Sequence, residues 1–262
     1  MGRLLAAIHG DSGIMRRYWL PAEKISTESV LIDGDHFHHI FDVCRNEMGS
    51  KFEILGDRDQ AHLVEVTVVE KKKATAKVLE SRTLPTPKRP YLSLALSVPR
   101  FPVFEAVLEK AVELGIHSIQ PFFSDFSFVR TASMWPAQKN QRFEKIVLSA
   151  TQQSGRGNVM PILPPLSFEA LLRQLRQNSR NLIVFAYEGD ADQSVQSFLK
   201  QQKPENFDHI WLFVGSEGGF SHKEVEIFRQ HDLQPVSLGD QVLRVETACI
   251  ALASILKYEL IP

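Results

Sequence analysis

The chain has 262 residues, of which 44% are hydrophobic and 23% charged, and its formal net charge is -1. This composition excludes a disordered or strongly basic protein, so any binding of nucleic acid must rely on a local basic patch. Two cysteines, Cys44 and Cys249, imply no disulfide framework, and no apolar stretch reaches membrane-spanning length. Residues 4–8 are too short an apolar run for a signal peptide, so we expect a cytoplasmic protein without a membrane partner.

Residues 16–84 contain short runs in which apolar and polar side chains alternate. The clearest runs are residues 52–55, 62–69 and 74–79. Alternation over such short runs, separated by turn residues, predicts a small antiparallel barrel or sheet. Three prolines between residues 85 and 90 follow it, and we interpret this stretch as a stiff linker.

From Tyr91 onward, buried strands alternate with amphipathic helices. The predicted strands are residues 92–96, 181–186 and 209–214, and the predicted helices are residues 104–114, 168–175 and 247–258. Continuous apolar strands separated by helices are typical of an α/β fold with a parallel sheet. The chain is long enough for this second domain beside the first.

A glycine-bearing turn follows the predicted strand at residues 209–214. Gly215, Gly218 and Gly219 permit positive φ and leave space for a ligand beside the backbone. Ser221 and Glu224 form a capping-box pattern, which predicts a helix start near residue 223. The alternative is a glycine-rich connection that binds nothing. The spacing is not the dinucleotide fingerprint, and the chain has no Gly-Lys-Ser/Thr of the Walker type, so hydrolysis of nucleoside triphosphates is not expected.

A second apolar run, at residues 235–238, also leads into a glycine and then a helix. Gly239 is followed by Arg244, and Glu246 lies in the predicted first turn of the last helix. In parallel α/β sheets ligands bind where strands end and turns gather. Two such turns so close in the sequence predict one pocket with walls built mainly from backbone.

Five ordered segments resemble the RsmE family. Residues 215–221 match G-x-E-G-G-F-S, and residues 237–248 match S-L-G-x-x-V-L-R-x-E-T-A. Residues 109–116, 150–156 and 15–20 resemble three upstream family elements, the last of them together with the later His38-His39-Ile40. Members of this family are SPOUT-class methyltransferases that methylate N3 of a uridine in 16S ribosomal RNA with S-adenosylmethionine.

The resemblance implies an architecture and partners. It implies a PUA-like RNA-binding β-barrel over residues 15–84, a linker over residues 85–90, and a SPOUT domain with a C-terminal trefoil knot over residues 91–262. It also implies a homodimer acting on 16S ribosomal RNA in the small ribosomal subunit. Residues 1–14 have no counterpart and form an N-terminal extension. The segment 124–130 lacks the adjacent Arg-Ser of many relatives, so no RNA contact is carried over to it.

The two C-terminal motifs imply the cofactor site, in which S-adenosylmethionine contacts backbone groups and apolar side chains. The residues carried over are Gly215, Glu217, Gly218, Gly219, Leu238, Gly239, Val242, Leu243, Thr247 and Ala248. Leu238 and Leu243 are equally consistent with ordinary core positions.

Methylation at uracil N3 requires loss of the imide proton, which calls for a general base or a stabilising positive charge. Glu217 and Glu246 are candidates for the base, and Arg156 and Arg244 for the charge. The alternatives are structural: Glu217 pins its loop, Glu246 complements a helix dipole, and Arg244 holds carbonyls or a carboxylate. Arg156 lies in a Ser-Gly-Arg-Gly loop that no hydrophobic pattern explains, so it is the strongest candidate.

Several N-terminal residues are candidates for RNA binding. They are Arg16, Arg17, Tyr18, His39 and Arg45. Cations contact phosphate and an aromatic ring stacks on a base, but Tyr18 is also consistent with the inward face of a strand. The histidines at 36, 38 and 39 lack a companion ligand cluster, so we expect no metal site.

Two other functions remain open from the sequence. One is a SPOUT methyltransferase that acts on another base or on a ribose 2′-O of RNA. The other is an RNA-binding assembly factor that keeps the fold without catalysis. Both glycine turns and Arg156 are present, which favours the catalytic interpretation.

Overall fold

A computed structural model describes residues 15–56, 59–189, 191 and 193–261. The chain divides into two units, one built from residues up to Pro85 together with Gly155–Asn158, the other from Thr86–Ser154 and the residues from Val159 onward. The predicted extension at residues 1–14 lies outside the described residues. The short segment at 155–158, which carries Arg156, is grouped with the first unit.

The first unit is built on a five-stranded sheet. Its strands are β1 (Arg17–Leu20), β2 (Ser29–Asp33), β3 (Lys51–Gly56), β4 (Gln60–Val69) and β5 (Lys73–Thr83), in the order β1-β3-β4-β5-β2. The three strands predicted from alternation, β3, β4 and β5, are confirmed. The prediction of a purely antiparallel sheet is wrong, because β1 pairs with β3 in parallel. A long connection through β2 returns the chain in the original direction, as a parallel pair requires.

A helical segment between β2 and β3 had no signal in the sequence pattern. It consists of α1 (Gly34–Phe37) followed by a π-helical turn, His38–Val43. Ile40 and Phe41 are buried in the core beneath the sheet, whereas His38 and His39 are exposed. This apolar face, rather than helix propensity, holds so short a helix in place.

The second unit is an α/β domain around a parallel sheet. Its strands are β6 (Tyr91–Ser97), β7 (Ile119–Phe123), β8 (Leu166–Ser167), β9 (Asn181–Phe185) and β11 (His209–Val214), in the order β8-β7-β6-β11-β9. Every neighbouring pair is parallel. The predicted α/β class with a parallel sheet and the predicted strands β6, β9 and β11 are confirmed. Their continuous apolar runs reflect burial on both faces of the sheet.

Helices cover this sheet on both faces. They are α2 (Phe101–Glu113), α3 (Asn140–Ser154), α4 (Phe168–Arg176), α5 (Val195–Leu199), α6 (His222–Gln230) and α7 (Val245–Leu260). The predicted helices α2, α4 and α7 are confirmed within a few residues at each end. Ser221 caps α6 and Glu224 completes the capping box, as the sequence predicts. A short parallel pair, β10 (Gln193–Ser194) with β12 (Val236–Ser237), lies beside the main sheet. Among the described residues, no helix is both long and apolar enough to cross a membrane.

Candidate functional site

A cavity of about 440 Å³ lies where β9 and β11 end. Three segments form most of its wall: residues 186–188, residues 214–219 without Gly218, and residues 236–248 without Asp240 and Thr247. Arg100 and Val103, at the start of α2, also line it. The volume falls within the roughly 300–1,000 Å³ of small-molecule sites, and the position at the carboxyl ends of parallel strands is where such sites form.

Most residues singled out in the two C-terminal motifs lie around this cavity. Those in its wall are Gly215, Glu217, Gly219, Leu238, Gly239, Val242, Leu243, Arg244, Glu246 and Ala248. The two glycine-bearing turns therefore line one cavity, and all of its lining residues belong to the second unit. Their individual roles stay predictions.

The first glycine turn is closed by backbone contacts. The Gly219 N–H donates to the Ser216 carbonyl at 2.9 Å, and Gly219 has a φ of +67°. A Cβ on Gly215 would lie 2.7 Å from the carbonyl carbon of Gly219, and a Cβ on Gly219 would clash with the Glu188 carboxylate. Gly215 is required because the backbone of Gly219 approaches it too closely for a side chain, and Gly219 is required because of its positive φ.

Gly218 and Thr247 lie outside the cavity wall, although the motif predicts cofactor contact for both. A Cβ on Gly218 would lie 2.9 Å from Cβ of Phe126, so this glycine faces an aromatic side chain rather than the cavity. Thr247 is exposed on the first turn of α7. The structure thus gives Gly218 a packing reason for being glycine that the motif alone does not reveal.

The second glycine segment is more open than the first. Gly239 has a φ of +129°, and no described atom beyond its chain neighbours lies within 4 Å of an added Cβ. Its N–H donates to the Ser237 hydroxyl at 3.1 Å, which helps hold the turn. Val242 is 76% exposed, so the cavity has an accessible apolar wall at this point. Glycine is needed here for its backbone conformation rather than for lack of space.

Glu217 connects two segments of the wall. Its Oε1 accepts a hydrogen bond of 3.0 Å from the Arg100 N–H at the start of α2. This contact supports the loop-pinning interpretation of Glu217 that the sequence left open. Arg100 and residues 186–188 were missed by the sequence analysis, because they reach the cavity only through the order of the strands.

Arg244 and Glu246 flank the N-terminus of α7. Arg244 is the N-cap residue, with extended backbone, and its carbonyl accepts the Ala248 N–H at 2.8 Å. Glu246 lies in the first helical turn, where the helix dipole stabilises a carboxylate. Both residues line the cavity, so a cation and a carboxylate are available at one side of it.

Arg156 lies in a tightly packed loop of the first unit. Gly155 has a φ of +72°, and an added Cβ there would lie 3.0 Å from Nη1 of Arg17. A Cβ on Gly157 would lie 3.0 Å from Cα of Asp59. The two glycines of the Ser-Gly-Arg-Gly sequence are thus explained in part, because the backbone there lies close to Arg17 and Asp59.

The Arg156 guanidinium is largely buried. Burial lowers its pKa to about 10, an effect that the nearby negative charge of Asp59 opposes. Its Nε donates to Oδ1 of Asn158 at 2.6 Å. A pKa of about 10 leaves the guanidinium charged at neutral pH, so the loop carries a buried cation whose partner Asp59 the sequence analysis did not identify.

Arg17 takes part in an ion-pair cluster at one edge of the first unit's sheet. Glu53 is only 7% exposed, and its two carboxylate oxygens accept from Arg17 Nε at 2.9 Å and from Arg82 Nη2 at 2.6 Å. Arg16 donates to the Cys44 carbonyl at 2.6 Å. The two predicted RNA-binding arginines are therefore already held by protein groups, which fixes where their remaining donors point.

Tyr18 is a core residue of the first unit. It is 4% exposed, its ring packs edge-on against Phe52, and its hydroxyl accepts from the Asn46 amide at 3.0 Å. This placement corrects the prediction that Tyr18 stacks on a base, because neither face is free for a nucleobase. His39 and Arg45 are both exposed, and Arg45 has a φ of +57°. Their predicted contact with RNA stays a prediction.

The described chain is similar to known methyltransferases over most of its length. The family model of an RNA methyltransferase domain matches residues 86–257. The ribosomal RNA small subunit methyltransferase E of Bacillus subtilis is 29% identical over 255 residues, which cover 94% of this chain and 97% of that protein. The protein of the same name from Buchnera aphidicola is 27% identical and covers 90% of this chain and 91% of its own length.

A solved structure of a methyltransferase of the same name is also similar to this chain. The crystal structure of a ribosomal RNA small subunit methyltransferase E from Neisseria gonorrhoeae, bound to S-adenosylmethionine, is 28% identical to this chain. It superimposes with a TM-score of 0.79 and covers 94% of this chain and 98% of its own. The matched domain and the paired glycine turns together show that the chain belongs to the RNA methyltransferase domain family and, within it, to the RsmE family of small-subunit ribosomal RNA methyltransferases.

Proposed function

We propose that this protein transfers a methyl group from S-adenosylmethionine to N3 of a specific uridine in 16S ribosomal RNA of the small ribosomal subunit. The observation that carries the proposal is the joining of the two glycine-bearing segments in the wall of one cavity, within the RNA methyltransferase domain. The similar protein from Neisseria gonorrhoeae is bound to S-adenosylmethionine, which supports the choice of cofactor.

The cavity fits this cofactor in size and chemistry. Leu238, Val242 and Leu243 supply an apolar wall for a flat adenine ring, and the first glycine turn supplies backbone that a side chain would obstruct. The Glu188 carboxylate at the cavity can accept hydrogen bonds from hydroxyl or ammonium groups. When bound, S-adenosylmethionine supplies an electrophilic methyl group.

The chain's own residues then have two tasks: alignment of the uracil ring and removal of its N3 proton. Glu246 is the better candidate for the base, because Glu217 already accepts the Arg100 N–H. Arg244 is placed to stabilise the negative charge that develops on the ring. Arg156, a buried cation, is the second candidate for that stabilising role.

Further parts of the proposal rest on the family. The first unit, over residues 15–84, is proposed to be a PUA-like barrel that binds RNA, and residues 85–90 the linker. The second, over residues 91–262, is proposed to carry the SPOUT knot, at which two copies pack as a homodimer. The proposed RNA contacts of the first unit are Arg16, Arg17, His39 and Arg45.

The test is transfer of a tritiated methyl group from S-adenosylmethionine to small ribosomal subunits that lack this modification, followed by mass analysis of the nucleosides. We expect N3-methyluridine in the 16S RNA. Detection of a different methylated nucleoside would support methyltransferase activity but overturn methylation at uridine N3. Cofactor binding by calorimetry without transfer to subunits or to free 16S RNA would overturn the substrate, and absence of both would favour a non-catalytic factor.

A further inference from the structure

The segment after β7 displays two phenylalanines to solvent. Phe126 and Phe128 are 48% and 52% exposed, and Arg130, two residues further on, is exposed as well. The residues between them, Ser127 and Val129, are each 3% exposed. Exposed and buried side chains thus alternate from Phe126 to Arg130, with the two rings and the guanidinium on the solvent side.

Buried hydroxyl groups hold the segment in place. The Ser127 hydroxyl lies 3.0 Å from that of Ser97 at the end of β6, and it accepts the Ser124 N–H at 2.8 Å. The Ser97 and Ser124 hydroxyls are 2.6 Å apart. Val129 packs against Val98 and Phe123. Because these anchors are buried and hydrogen-bonded, the exposed rings are held on a fixed backbone rather than on a loose loop.

Both rings touch the segments that line the cofactor cavity. Phe126 packs against Gly218, and its carbonyl accepts the Ser216 hydroxyl at 2.7 Å, so it lies directly against the first glycine turn. The Phe128 ring meets Phe101 edge-on at 5.5 Å, next to the cavity residue Arg100. The two exposed rings therefore lie beside two parts of the cavity wall.

We infer that Phe126 and Phe128 form a stacking platform that holds an unpaired RNA base at the rim of the cavity. This inference rests on the proposed function, because it needs an RNA substrate that presents an accessible base. Aromatic faces stack on any base, and Arg130 on the same side matches a neighbouring phosphate. An RNA base is favoured over a protein partner, because both rings adjoin the wall of the cavity in which the proposed reaction takes place. This chain lacks the adjacent Arg-Ser that many relatives carry in this segment, and the two phenylalanines would supply a contact of a different kind.

The test compares Phe126→Ala and Phe128→Ala with wild type in methyl transfer to unmodified small subunits, with KM and kcat measured separately. We expect each change to raise KM for the subunit about tenfold, in the range for loss of one stacked base. Affinity for S-adenosylmethionine, measured by calorimetry, should stay at the wild-type value. Phe126→Trp and Phe128→Trp should retain wild-type KM, and Phe126→Leu should not.

Tyr258→Ala is the matched control, because this aromatic side chain is 86% exposed on α7 and lies outside the cavity wall. It should leave KM unchanged. Wild-type KM in both alanine variants, or full activity of the leucine variant, would overturn the platform while leaving the proposed function intact. If wild type sediments as a dimer and the alanine variants sediment as monomers, without a change in KM, the rings form a contact between two copies of the chain instead. Failure of wild type to methylate any small subunit would overturn both proposals.

Discussion

In the first unit the buried carboxylate of Glu53 lies between two guanidinium groups, whereas the buried carboxylate of the second unit, Glu224, accepts backbone N–H groups and the buried serines there bond to neutral groups. Ser93 illustrates the second arrangement, since its hydroxyl lies 2.6 Å from that of Ser118 and 2.7 Å from Nε2 of His209. The two units therefore differ in what can disturb them. Loss of a charge partner disturbs the first, and gain of a charge disturbs the second.

The same contrast extends to the candidate site. The cavity of the second unit is lined largely by glycine backbone and apolar side chains, whereas the largely buried cation Arg156 belongs to the first unit. Backbone recognition suits a cofactor of fixed shape, whereas charge suits a polyanion or a developing negative charge. Substitutions in the two units should accordingly affect different steps.

The largest effect is expected from Gly219→Ala in the cavity wall. The left-handed backbone strains any other residue by roughly 1–3 kcal/mol, and the added methyl group also clashes with Glu188. If the turn shifts to relieve this strain, affinity for S-adenosylmethionine should fall about 10- to 100-fold, as measured by calorimetry. Gly115→Ala is the control, since Gly115 has a similar φ of +76° but meets the end of the Lys257 side chain. Equal losses of affinity in both variants would contradict a local role for Gly219.

Arg156→Ala should separate cofactor binding from methyl transfer. We expect kcat to fall about 100-fold, as for loss of one electrostatic stabiliser, with unchanged affinity for S-adenosylmethionine. Arg16→Ala, which removes an exposed cation from the same unit, should lower kcat/KM only a few-fold. Single-turnover methyl transfer provides the rate. A parallel loss of cofactor affinity in Arg156→Ala would argue against the division of roles between the units.

Acid should destabilise the second unit through His209. Burial, together with the nearby His117, lowers the pKa of His209 from 6.5 to about 4. The pKa of His209 is lower in the folded state than in the unfolded state. Neutral His209 therefore contributes its full stabilisation of the folded state above pH 6.5, and this stabilisation is lost as the pH falls toward about 4. Allowing for partial exposure, we expect a loss of about 2 kcal/mol in the free energy of unfolding.

Urea unfolding of wild type and His209→Gln across this pH range, followed by tryptophan fluorescence, measures the contribution. Trp211 stacks on His209 with ring centroids 4.7 Å apart, so it reports locally. The glutamine variant should lose less stability between pH 6.5 and about 4 than wild type does. Identical pH profiles would show that His209 does not carry the effect.

The smallest effect is expected from Glu53→Gln in the first unit. This change leaves Arg17 and Arg82 without a negative partner, but their side chains are 35% and 44% exposed, which lets water compensate. We expect a loss of about 1–2 kcal/mol in the free energy of unfolding, below the value for a fully buried pair. Glu65→Gln removes the exposed pair with Lys51 and should cost less than about 0.5 kcal/mol. Denaturation in urea at low salt measures both, and equal losses would remove the contrast.

Much of the second unit could be predicted from local pattern. The apolar strands β6, β9 and β11, the helix after Ser221 and both glycine turns follow from burial on two sheet faces, a capping box and positive φ. The helix α3 and the strand β7 were missed, because α3 is mostly polar and β7 is a short apolar run of ambiguous type. In the first unit, alternation alone could not decide whether Tyr18 points into the core or stacks on an RNA base.

The sequence by itself determined the elements whose signal is local: the strand periods, the cap at Ser221 and the glycines at 215, 219 and 239. Only the tertiary structure decided what those elements meet. Strand order joins residues 186–188 and Arg100 to the two glycine turns in one cavity, and it turns Gly218 toward Phe126. In the first unit, the tertiary structure pairs β1 with β3 in parallel and places Asp59 near Arg156. Such contacts join residues far apart in the chain, and their energies depend on packing that no local pattern of residues encodes.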